Sequence, residues 1–152
     1  PRLDTLEPRQ AQELLAALSE EANKRCAQDG LFWLRFVKTR DEADPLNAVK
    51  SFPLYEQYIK ELWGELVAEQ QVIIAKSRQM MISWVVACFA AWWARYKPNN
   101  AIYYQTQAFP DSVAMTCMPE GGYEGRIQFI ETHLPQWMQQ RCKFSEGRIQ
   151  YP

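Results

Sequence analysis

Val72-Ile73-Ile74-Ala75-Lys76-Ser77-Arg78-Gln79-Met80-Met81-Ile82-Ser83, running on into Trp84 to Tyr96, is the stretch whose reading decides the fold. Val72 to Ala75 is a short run rich in β-branched residues, the pattern of a strand buried on both faces in a parallel sheet. Lys76 to Ile82 breaks that run with charge and amide. Ser83 to Tyr96 is then apolar on nearly all sides, which predicts a helix buried beside a sheet.

Strand, loop and helix in that order are what a phosphate-binding loop requires. The strand fixes the loop, and the backbone N–H groups and helix N-terminus face the anion. A cation for the phosphates and a hydroxyl for magnesium usually arrive as GxxxxGK[ST]. Here Ser83 stands where the hydroxyl belongs, and it is equally suited to cap the helix. Lys76 and Arg78 place positive charge at the start of the loop rather than its end; otherwise they are solvated loop charges. Met81 occupies the second glycine position and Ile82 the lysine position.

Outward from this segment, Leu6 to Gln28 carries leucines at helical spacing and stops at Asp29-Gly30. Leu31 to Val37 predicts a second short helix, and residues 1–40 together form an N-terminal helical arm. A polar stretch with a turn at Asp44-Pro45 makes residues 41–52 a linker. Residues 53–152 form the main body. It begins with a helix from Pro53 to Ala68, its apolar stripe being Leu54, Tyr58, Leu62 and Leu66.

Beyond the loop and its helix, Lys97 to Asn100 makes a turn and Ala101 to Gln105 a second strand. Pro110 opens a helix that runs to Cys117, and Pro119 to Gly122 breaks the chain. Gly125 to Leu134 is a further helix, and Lys143 to Tyr151 a hairpin turning at Glu146-Gly147. Glu120 to Glu124 is either a plain turn or a loop near DNA. The alternation predicts an α/β fold, a parallel sheet flanked by helices.

Composition narrows the function classes. Apolar residues make up 47% of the 152, which excludes a disordered chain, and the formal charge of −1 supplies no global field for nucleic acid. Cys26, Cys88, Cys117 and Cys142 form no CxxC pair, so they read as reduced thiols. His133 is the single histidine, which leaves a His-based metal site without a second ligand. The longest apolar run, Val85 to Ala94, is too short to cross a bilayer.

The string from Ile73 to Gln107 resembles the ATPase centre of the large subunits of tailed-phage terminases. In that family a strand enters a loop of the form (K)SRQ(M/L)G(K/I/Y)(S/T), followed by a long apolar helix and a strand ending near Gln. Phe52-Pro53-Leu54-Tyr55-Glu56-Gln57 resembles the segment that precedes the loop, and Arg126 to Trp137 reads like later terminase sequence. The similarity covers roughly residues 30 to 152.

The resemblance implies an incomplete P-loop NTPase of the ASCE type with Lys76, Ser77, Arg78, Gln79, Met80, Met81, Ile82 and Ser83 around the phosphates. Ser83 would be a magnesium ligand, and Gln57 with Tyr55, or Phe52, would hold the adenine. The bland alternatives are a surface Gln57 and ordinary packing of the two aromatics. The implied cofactors are ATP and Mg²⁺. The implied partners are double-stranded viral DNA, a terminase small subunit, the portal protein and further copies in a ring, in the host cytoplasm and without a membrane.

Two departures bear on activity. Met81 replaces a glycine whose freedom lets the backbone approach the phosphates. No apolar strand ending in Asp-Glu follows, so the residues that hold magnesium and orient the attacking water are absent from this stretch. In the family these lie further on, as does the nuclease domain. The resemblance therefore implies less than half of such a subunit, able to bind nucleotide but not to turn it over. The alternative is a decayed module that keeps the fold and acts only through protein contacts.

Overall fold

The computed structural model describes residues 7–41, 44, 46, 48–77, 80–117 and 124–152. The tryptophan-rich helix predicted after the loop is the axis of the molecule. This helix, α4 (Ile82–Tyr96), follows α1 (Pro8–Gln28), α2 (Gly30–Trp33) and α3 (Gln57–Ala68). It precedes α5 (Phe109–Met115) and α6 (Arg126–His133). Trp84, Val85, Ala87, Cys88, Ala90, Ala91 and Trp92 of α4 are all buried.

Each neighbour packs its apolar stripe against that axis. From α3 come Ile59 and Trp63, with the Trp63 ring edge-on to Phe89 and Trp92 at 5.6 and 5.7 Å. From α6 comes Phe129, edge-on to Trp84 at 5.8 Å. Such contacts add about 0.5–1.5 kcal/mol each to the burial of the rings. The sequence stripe Leu54, Tyr58, Leu62 and Leu66 lies only half-buried on the flank of this contact. Its centre is the adjacent Ile59–Trp63 pair, four residues apart on one face.

The N-terminal segment joins the same core. Asp29 ends α1 and caps α2, accepting the Phe32 N–H at 3.0 Å. The Trp92 indole donates to the Cys26 carbonyl at 2.7 Å, and the Tyr96 hydroxyl to Asn23 at 2.8 Å, so the last turns of α1 are bolted to α4. Gly30 sits against the Trp63 indole, where a Cβ would come within 2.3 Å of Cζ2. The first turns of α1 remain outside, with Leu14, Leu15 and Leu18 exposed.

A hairpin joins the end of the expected arm to the expected linker. β1 (Lys38–Arg40) pairs antiparallel with β2 (Val49–Ser51), Thr39 opposite Lys50. Thr39 is buried, and α6 packs on β1. A second hairpin, β3 (Lys143–Ser145) and β4 (Arg148–Gln150), follows the expected pattern and turns at Glu146 and Gly147, the latter at φ 66°.

Next to it lies a buried ion pair. Arg95 and Glu131 are both nearly fully enclosed, and Arg95 also donates to the Met138 carbonyl at 2.7 Å. The Tyr151 hydroxyl donates to the second Glu131 oxygen at 2.9 Å. Burial raises the Glu131 carboxyl, and Arg95 and Tyr151 pull it back.

The parallel sheet expected over Val72–Ala75 and Ala101–Gln105 is not formed among the described residues, whose only sheets are the two antiparallel hairpins. Both segments lack regular secondary structure and a partner strand among the described residues. Ile73 is 99% exposed and Tyr103 is 91% exposed. Among the described residues no backbone–backbone hydrogen bond reaches residues 71–77 or 101–106. Among the described residues no helix is long and apolar enough to cross a membrane.

Candidate functional site

The loop joins the C-terminal end of α3 to α4. The helix expected from Pro53 starts later, because Leu54 and Tyr55 form a turn and Gln57 is the first helical residue. Residues 71–77 follow as an extended, largely exposed strip, with Lys76 and Ser77 both exposed. Arg78 and Gln79 lie outside the described residues. Met80 is half-buried, and its carbonyl accepts the Tyr58 hydroxyl at 3.1 Å. Tyr58 therefore ties the loop to α3. Its place in the apolar stripe was visible in the sequence, but the use of its hydroxyl was not.

Met81 is the N-cap of α4 and adopts a left-handed backbone, φ 54° and ψ 12°. Its side chain is half-buried against the core. The left-handed region costs an L-residue about 1–2 kcal/mol relative to glycine, so this turn has a glycine's geometry with a methionine in it. The Met81 carbonyl accepts from both Trp84 and Val85, at 2.9 and 3.1 Å, which closes the first turn. The N–H groups of Ile82 and Ser83 then lie at the open end of the helix.

Ile82 is buried, Ser83 is half-buried at the second helical position, and no acidic residue occupies the first turn. The positive end of the α4 dipole is thus uncompensated by acidic residues of its own first turn. An anion such as a phosphate fits this arrangement. Among the described residues no cluster of three or more His, Cys, Asp or Glu could hold a metal ion. Any magnesium here would depend on Ser83 and on the phosphates themselves.

The residues expected to contact adenine differ in their surroundings. Tyr55 is 82% exposed, Phe52 is buried in the core, and Gln57 donates to Glu61 along α3 at 3.3 Å. The bland reading of Gln57 and Phe52 matches these surroundings. The segment Glu120–Tyr123 lies outside the described residues.

Two clefts open elsewhere along α4. One, of about 900 Å³, lies between Ala101–Tyr104 and the strip Gly147–Pro152, with Arg95 and Tyr151 on its wall. The other, of about 790 Å³, lies between Leu66–Gln70 and Ala101–Gln105, floored by Val86, Phe89 and Trp93. Neither is lined by Lys76–Ser83.

The cysteines are free thiols. Burial raises Cys26 and Cys142 to about 11, and Cys88 well above the ordinary thiol range. At neutral pH they are protonated and poor nucleophiles. No family model matches the chain, nor does any curated protein or solved structure.

Proposed function

We propose that this chain is the nucleotide-binding portion of a motor ATPase of the kind its sequence resembles, a terminase large subunit that drives viral DNA into procapsids. The observation that carries the reading is the left-handed Met81 at the entry to α4. It sits at the position where the resembled loop keeps glycine, so the backbone makes the turn for which glycine is kept. Lys76, Ser77 and the open N–H groups of α4 would hold the phosphates, and Ser83 the magnesium. Bound ATP would supply the phosphoanhydride whose cleavage powers movement. This chain's residues would bind and orient it, with no carboxylate in the described loop to complete hydrolysis. DNA, a small subunit, the portal and a ring of copies in the host cytoplasm belong to the same proposal.

The test is titration calorimetry with a slowly hydrolysed ATP analogue and magnesium. The expected result is weak binding that Lys76→Ala reduces about tenfold, a loss of one charged hydrogen bond, with no turnover of ATP. Absence of binding, or binding unchanged by Lys76→Ala and Ser83→Ala, refutes the reading.

A second reading has its own observation. Leu14, Leu15 and Leu18 of α1 are exposed side by side, which suits a module that acts through protein contacts alone. It predicts no nucleotide binding at all.

A further inference from the structure

Tyr58 lies in the first turn of α3, a helix held in place by its neighbours. Ile59 beside it is fully buried, and Trp63 packs edge-on against Phe89 and Trp92 of α4. The Tyr58 ring is half-buried against the same core, and its hydroxyl donates to the Met80 carbonyl, 22 positions along the chain, at 3.1 Å. Burial, and then the Glu56 charge, pushes the phenol above its usual range, so at neutral pH it stays a donor. The Met80 carbonyl and the Met81 N–H belong to one planar trans peptide and point in opposite directions. Holding the carbonyl toward α3 therefore turns the Met81 N–H away from it.

Met81 is left-handed and Ile82 begins the right-handed helix. Successive residues of opposite hand bring three consecutive N–H groups, those of Met81, Ile82 and Ser83, to one concave side, a form that takes an anion. Among the described residues none of the three joins a backbone–backbone hydrogen bond. We infer that Tyr58 is a positioning residue for the phosphate loop: its hydroxyl fixes the Met80–Met81 peptide so that the Met81 N–H joins those of Ile82 and Ser83 on a bound phosphate. The inference rests on the reading of this loop as a nucleotide site, and adds to it a part played by α3. Without the hydroxyl the peptide is free to rotate, and the left-handed turn, costly for methionine, relaxes more readily.

The test titrates adenylyl imidodiphosphate with magnesium into the wild-type chain, Tyr58→Phe and Leu62→Ala, reading affinity by calorimetry and the amides of Met81, Ile82 and Ser83 by NMR. Tyr58→Phe keeps the ring and removes only the hydroxyl. It should weaken binding about three- to tenfold, the loss of one well-aimed donor. The shift of the Met81 amide on saturation should shrink, while those of Ile82 and Ser83 persist. Leu62, half-buried one turn along the same face of α3, controls for stability. Leu62→Ala should lower the melting temperature and leave both the affinity and the Met81 amide shift as in wild type.

Wild-type binding that moves the Ile82 and Ser83 amides, with Tyr58→Phe binding equally well, overturns the role of Tyr58 and leaves the nucleotide reading of the loop standing. Equal weakening by Leu62→Ala overturns it too, because the hydroxyl would then serve only the stability of α3. A wild-type chain that binds nothing, or binds without moving any amide of residues 81–83, overturns the nucleotide reading and this inference together.

Discussion

Comparing Met81→Gly with Met81→Ala isolates the backbone cost of the turn before α4. Both substitutions remove the same half-buried thioether side chain from the core, a loss of about 1 kcal/mol for partial burial of a methionine. They differ in the dihedral they allow. At φ 54° alanine keeps the left-handed penalty of about 1–2 kcal/mol, and glycine does not. Glycine gives back about 0.5–1 kcal/mol through the greater freedom of its unfolded chain. Met81→Gly should therefore be the more stable variant by about 0.5–1 kcal/mol.

For a chain of 152 residues that difference separates the melting temperatures by about 1–4 °C, which calorimetry resolves. The same pair tests the loop as a phosphate site. Glycine frees the backbone before the N–H groups of Ile82 and Ser83 and alanine does not, so Met81→Gly should bind the ATP analogue more tightly than Met81→Ala. A glycine variant no more stable than the alanine variant would refute the strained turn.

Three further outcomes follow from the core. Gly30→Ala forces a Cβ into the Trp63 ring, which is itself buried, and should cost about 1–3 kcal/mol in denaturant melts; an unchanged midpoint would mean that α2 can shift freely. Tyr151→Phe removes one hydrogen bond from a carboxylate that keeps Arg95, at a cost of about 1–2 kcal/mol. Glu131→Ala leaves Arg95 enclosed without its counter-ion and should cost about 3–5 kcal/mol. Equal losses from the last two would show that the network does not work as drawn.

The helices were legible because their signals are local. The leucine spacing of α1, the stop at Asp29-Gly30 and the apolar run of α4 each lie within one element. So do the turn residues of the β3–β4 hairpin. What was not legible depends on partners distant in sequence. Val72–Ala75 and Ala101–Gln105 have strand composition, but pairing requires a neighbour that no local pattern supplies. The stripe on α3 was read one position to the side, because Tyr58 and Leu62 look as apolar as Ile59 and Trp63 until α4 is in place. The β1–β2 hairpin was hidden in polar residues, where Thr39 is buried only because α6 covers it. At the loop, the mismatch of Met81 with a glycine position was visible in the sequence. Its left-handed backbone was not, because the same residue could have started the helix in an ordinary conformation.

The long first helix has a mechanical consequence. Its 21 residues make a rod of about 31 Å, clamped at one end by the bonds to Trp92 and Tyr96 and bare at the other. A partner gripping Leu14, Leu15 and Leu18 would hold a lever whose fulcrum is the Trp92 indole. Torque applied there would reach α4 directly, and with it the turn at Met81 that opens that helix.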